Sequence, residues 1–90
     1  MQSRKEIEAK SFHLLKYAFE SWGAVRVEII TTTDHLRSQK AIERLGATRE
    51  GVLRKKYNTK DYVFYSIIDE EWERVRQRLE RLLSGDGYAK

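Results

Sequence analysis

The sequence predicts an α/β (α+β) domain with the order α-β-α-β-β-α, a three-stranded mixed sheet and helices packed on it. Two stretches with apolar residues at helical spacing each run into a glycine, Gly23 and Gly46. Between and after them the pattern changes to strand periodicity, at Val25–Thr31, Thr48–Tyr57 and Tyr62–Ile68. A last amphipathic run follows Asp69. Changes of period from 3.6 to 2 mark the passage from helix to strand.

From about Ser3 to Trp22, Ile7, Leu14, Leu15, Ala18 and Trp22 form an apolar stripe that Phe12 and Phe19 widen. Lys5, Glu6, Glu8, Lys10, Lys16 and Glu20 are expected opposite it. Gly23 sits where a left-handed C-cap is wanted. Val25, Val27, Ile29 and Thr31 then alternate with Arg26, Glu28 and Ile30 as a strand. A second helix is expected from about His35 to Leu45, with Ser38, Ala41, Ile42 and Leu45 on one face, Asp34 as its N-cap and Gly46 as its stop. Gly51 suggests a bulge in the next strand. Tyr62–Ile68 is apolar on both faces, which assigns it the middle of the sheet. Inserting it between the first two strands, joined by a right-handed crossover, is the topology that does so. Asp69 is the expected cap of the last helix, with Trp72, Val75, Leu79 and Leu82 inward, acids in its first turn and Arg78 and Arg81 at its end.

Ninety residues allow one domain, read here as 1–90 with a frayed tail at 84–90. Cysteine is absent, which excludes a disulfide framework and a thiolate zinc site. Two distant histidines, His13 and His35, give no reason to expect a metal. No apolar run reaches bilayer length, and no signal peptide precedes the first helix, so no membrane association and a cytoplasmic location are expected. The net charge of +4 suits an anionic partner, although solvated helices explain it equally well. Arg54-Lys55-Lys56 and Lys60 could contact phosphates. However, no aromatic residues interleave with the basic ones as a single-strand platform requires, so nucleic acid is not the expected partner.

Six segments with consistent gaps carry a more specific signal: Tyr17-Ala-Phe-Glu20, Arg26-Val-Glu28, Ser38 with Ala41-Ile42, Leu45-Gly46, Glu50-Gly-Val-Leu-Arg54 and Glu71-Trp72. Together they resemble the C-terminal half of a GNAT-superfamily N-acetyltransferase, closest to the branch that acetylates ribosomal-protein N-termini. The resemblance implies acetyl-CoA as cofactor and direct acetyl transfer to an amine of a protein or small molecule.

The same resemblance implies a cofactor cleft walled by Val27–Thr32 and the start of the second helix, with Ile29, Thr31, His35, Ser38 and Ile42 at the cofactor. Ser38 matches the residue that, in some members, hydrogen-bonds the departing thiolate, whereas His35 stands where an asparagine is usual. Ser38 could equally be a small packing residue and His35 a solvent-facing helix start. Arg37, Lys40 and Arg44 could approach the nucleotide end. Glu28 and Glu50 are the carboxylates available as a base, and both are read more simply as strand charges. The family's glycine-rich pyrophosphate loop should open the first helix, but Met1–Glu6 contain no glycine. The chain is therefore expected to be inactive alone. It would assemble as a homodimer through the strand edge at Val25–Thr31 or the first helix, or with a separate N-terminal half. A non-catalytic oligomerising remnant is the alternative, and a small basic RNA-binding module a weaker one.

Overall fold

The computed structural model describes residues 4–84; the expected flexible tail lies, apart from Ser84, outside the described residues. Three α-helices, α1 (Arg4–Lys16), α2 (Leu36–Leu45) and α3 (Asp69–Leu83), accompany strands β1 (Arg26–Thr32), β2 (Thr48–Leu53) and β3 (Tyr62–Ile68). The element order is the expected one. The sheet order is β1-β3-β2, so the strand that is apolar on both faces does occupy the middle. β2 and β3 pair antiparallel. Thr33 N–H donates to the Asp61 carbonyl at one end of β1, and Asp69 N–H to the Val25 carbonyl at the other. β3 therefore also runs against β1, so the sheet is antiparallel and not the mixed one expected: β1 and β2 are parallel to each other, but β3 lies between them.

The chain divides into two compact units, one formed by residues up to Val27 and from Ile68 onward, the other by Glu28–Ile67. In the helical unit, α1 buries Glu8, Leu15 and Phe19, with Ser11, Phe12 and Ala18 half-buried along the same line. That line repeats at helical spacing and faces α3, whose Trp72, Val75, Leu79 and Leu82 are buried. Phe12 and Phe19 both stack on Trp72, with centroids at 6.3 and 5.3 Å. The Trp72 indole N–H donates to Glu20 Oε2 at 2.8 Å, so a large buried aromatic keeps its polar group satisfied.

Four residues of α1 and its extension are corrected. Glu8, placed on the charged side, is 3% exposed, because it lies one turn before Phe12 on the buried line. Ile7 (37% exposed), Leu14 (71%) and Trp22 (73%), placed on the apolar stripe, are exposed. The helix also continues past Lys16 as a π-turn, Tyr17–Ser21, with Trp22 N–H donating to the Tyr17 carbonyl. A π-turn accommodates one more residue than an α-turn and sets back the angular position of the residues beyond it by about a quarter turn. In unbroken α-helical phase Trp22 would follow Leu15 and Phe19 inward, and the π-turn carries it out. Gly23 then ends the segment at φ 68°, as expected of a left-handed cap.

In the second unit, α2 lays Ile42 against Val63 and Tyr65, and Ile29 and Ala47 pack around this cluster. Val63, Tyr65 and Ile67 are wholly buried. Gly46 closes α2 at φ 99°. The β2 register shifts between Arg49, opposite Tyr65, and Gly51, opposite Phe64, which is the expected bulge.

Candidate functional site

His35 and Ser38, two of the residues singled out by sequence, meet where β1 gives way to α2. His35, not Asp34, is the N-cap of α2, its Nδ1 accepting the Ser38 amide at 3.0 Å. Asp34 has other partners: it accepts from the Thr32 hydroxyl at 2.6 Å and from the Lys60 ammonium at 3.2 Å. The Thr32 hydrogen bond, then Lys60, holds its carboxyl below the ordinary carboxylate value. Gln39 donates its side-chain amide to the carbonyls of Thr32 (3.1 Å) and Thr33 (2.9 Å), so the turn into the helix is closed from the helix side.

The five candidate cofactor residues separate into two sets. Ile42 and Ile29 belong to the packing around Val63 and Tyr65, and Ile42 is 6% exposed. Thr31 and Ser38 are half-buried and His35 is exposed, and of the three only His35 and Ser38 are joined, through the Ser38 amide. Arg37 and Lys40 are exposed on α2 and Arg44 is half-buried. Of the two carboxylates considered as bases, Glu28 is exposed on β1, and Glu50, at the bulge, accepts from the Ser66 hydroxyl at 2.9 Å. An extra residue at a bulge re-aims a side chain, here toward a serine that is 2% exposed.

A further bond in this unit has no counterpart among the sequence-based expectations. The Tyr65 hydroxyl donates to Glu43 Oε2 at 2.8 Å, tying the middle of β3 to α2. Burial, then the Glu43 hydrogen bond, pushes this phenol above its ordinary value of 10.0. A tyrosine in a strand buried on both faces needs such a partner, which was the available signal. In the helical unit a shallow groove of about 380 Å³ is lined by Lys16, Glu20, Trp72, Glu73 and Arg76 and contains none of the candidate residues. Among the described residues no group of His, Cys, Asp and Glu could hold a metal ion, and no helix is long and apolar enough to cross a membrane.

This arrangement fits part of what coenzyme A requires. β1 is an outer strand of the sheet and leads into the turn that His35 and Ser38 cap, which suits an extended amide-bearing arm. A phosphate cradle is a different matter. Anions sit on helix-opening amides that glycine makes approachable, and among the described residues no glycine opens a helix: Gly23 and Gly46 follow helices and Gly51 lies in β2.

No protein-family model and no curated protein matches the chain, whereas solved structures do. It is 43% identical to a protein assigned as an acetyltransferase from T. thermophilus, over 84% of this chain and 43% of that one, with a TM-score of 0.82. A GCN5-related N-acetyltransferase from Brucella melitensis matches over the whole of this chain and 42% of its own, at 24% identity and a TM-score of 0.86. A GNAT-family acetyltransferase from Bacillus anthracis matches at 25% identity over 72% of this chain and 42% of its own, with a TM-score of 0.67. The chain thus spans less than half the length of each.

Proposed function

We propose that this chain, whose structural neighbours are GNAT-family acetyltransferases and whose fold is part of theirs, is an acetyl-CoA-dependent N-acetyltransferase-related domain that works only when assembled with another chain. The observation that carries the acetyl-transfer reading is the 43% identity over 84% of the chain together with a TM-score of 0.82. Neither the cofactor nor the acceptor amine follows from the fold alone; both are inferred from that likeness. The ribosomal-protein branch suggested by Glu50-Gly-Val-Leu-Arg54 and Glu71-Trp72 belongs to the same proposal.

When bound, acetyl-CoA supplies an activated thioester, the source of the acetyl group. Thr31, His35 and Ser38 would flank it. With Nδ1 accepting the Ser38 amide, the His35 ring is fixed in one orientation, and its Nε2 is the atom left to face a ligand. Ser38 keeps a hydroxyl that can donate a proton, and a well-placed acid of this kind contributes about 10²–10⁴-fold. Glu50 is held by Ser66, so its service as a base would require that hydrogen bond to yield.

Assembly is supported by the surface of the helical unit. Leu14, Tyr17, Trp22 and Val25 are 53–73% exposed. A cover for this face would come from a second copy or from a chain supplying the remainder of the neighbours' length. The non-catalytic reading draws support from Ile29 and Ile42, whose side chains serve the core.

Coenzyme A titration monitored by thermal unfolding, run beside sedimentation of the same sample, tests the proposal. A ligand-dependent rise in Tm of an associated species is expected, reflecting a stabilisation of about 2.7 kcal/mol when ligand reaches a hundredfold excess over Kd. A monomer whose melting is indifferent to millimolar coenzyme A would overturn self-assembly, and an associated species equally indifferent would overturn the acetyl-CoA reading.

A further inference from the structure

We propose that the β2–β3 hairpin tip, Arg54–Lys60, is a binding surface for single-stranded nucleic acid, separate from the acetyl-transfer reading and independent of it. Between Gly51 and Lys60 the sequence holds four cations and no carboxylate, a local charge equal to the net +4 of the whole chain. Lys60 is paired with Asp34, which leaves Arg54, Lys55 and Lys56, all exposed, to face an anion. Asp34 and Asp61 are held at the same tip, so its four cations against two carboxylates leave a net +2 there.

A cationic turn alone would not distinguish a polynucleotide from an acidic peptide; the aromatic geometry does. Tyr57 is 60% exposed although it meets Tyr62 edge-on at 5.0 Å and 84°. The Lys56 ammonium lies 5.4 Å from the Tyr57 centroid, so a ring and a cation are placed together where a base and its own phosphate could meet them. Every base has a face that can stack, which makes this pairing tolerant of sequence. Along the sequence only one tyrosine adjoins the basic run; the hairpin brings the second against it.

The tip is also ordered before any ligand arrives. The Lys55 amide donates to Asp61 Oδ1 at 3.1 Å, with Lys55 at φ 46°. Asn58 accepts the Lys60 amide at 2.8 Å and donates to the Tyr62 hydroxyl at 2.8 Å. A preformed turn lowers the ordering cost of binding. Three phosphate contacts predict a slope of log K against log salt of about −2 for a single strand, or about a twentyfold loss of affinity between about 50 and 200 mM salt.

The test is fluorescence anisotropy of labelled oligo-U and oligo-dT, each about a dozen nucleotides, with the whole chain across that salt range. Binding with the stated slope is expected, and the tighter of the two strands identifies RNA or DNA as the source. Arg54→Gln/Lys55→Gln/Lys56→Gln should bring the slope close to zero, while Arg78→Gln/Arg81→Gln on α3 leaves it unchanged. Tyr57→Ala should weaken binding about tenfold to a hundredfold, and Tyr57→Phe should retain it, since stacking needs the ring and not the hydroxyl. Circular dichroism checks that each variant is folded. Absence of binding at low salt, full competition by poly-glutamate, or a Tyr57→Ala variant of unchanged affinity would each overturn the proposal.

Discussion

The helices α1 and α2 solve the same problem differently. α2 has one apolar face along most of its length, with Ile42 and Leu45 buried and Ser38 and Ala41 half-buried; Arg37 and Lys40 are exposed, and Glu43 takes the Tyr65 hydroxyl. α1 with its π-turn has two. One holds Leu15 and Phe19 and is covered by α3; the other, with Leu14, Tyr17 and Trp22, is left in water. A helix that is apolar on more than one side is normally enclosed on more than one side. The difference is one of coverage along the two helices: the second apolar face of α1 and its π-turn is 53–73% exposed, whereas on α2 only Leu36, at its start, is comparably exposed at 65%.

Substitutions sharpen this contrast, beginning with the core positions. Tyr65→Ala and Trp72→Ala should each destabilise the protein by about 3–5 kcal/mol in urea unfolding, since both remove a large buried aromatic. In a chain this small, whose stability is marginal, either variant should be largely unfolded. Equal and minor losses in both would refute the idea of two separately packed cores.

A smaller effect is expected at the start of α2. His35→Ala removes the acceptor for the Ser38 amide and should cost about 1 kcal/mol, which His35→Asp should recover in the same unfolding measurement. If coenzyme A binds, His35→Ala should weaken it beyond that stability loss, whereas His35→Asp would restore the cap without restoring the ligand contact.

Tyr65→Phe gives a comparable loss of about 1 kcal/mol at neutral pH, with a pH signature of its own. The folded-state phenol lies above its unfolded value of 10.0. The folded protein therefore holds that proton more tightly, and the associated stability is fully present below pH 10 and declines as pH rises through the folded value. Alkaline titration of the urea midpoint should show this decline in the native sequence and not in Tyr65→Phe.

The smallest stability change belongs to the uncovered face. Leu14→Ser/Trp22→Ser should alter unfolding of the isolated chain by no more than about 0.5 kcal/mol, because both residues are already in water. The same pair should abolish association in sedimentation velocity. Loss of several kcal/mol instead would show that the face has an intramolecular role.

Where structure is set locally, the sequence was enough. Gly23 and Gly46 end their helices with positive φ, Gly51 marks the bulge, and the two-sided apolar character of Tyr62–Ile68 gives the β1-β3-β2 order. Caps were less legible, because several polar neighbours compete for each one. Asp34 is engaged by Thr32 and Lys60, leaving the cap to His35. Asp69 lies inside α3, and the Ile68 amide is satisfied by Glu71 Oε1 instead. The outward turn of Trp22 was hidden because periodicity assumes one helical phase and the π-turn changes it. At the candidate site, the His35–Ser38 pairing was within reach of a three-residue spacing, but the Tyr65–Glu43 and Ser66–Glu50 bonds join residues far apart in sequence and needed the sheet to be seen.

The contrasting surroundings of the two tryptophans give the protein its own pair of optical reporters. Trp72, stacked between Phe12 and Phe19 and 7% exposed, should emit toward the blue and shift red only when the helical unit comes apart. Trp22, 73% exposed, should emit toward the red and respond to quenchers until something covers it. One emission spectrum can therefore distinguish docking from denaturation, with no label attached.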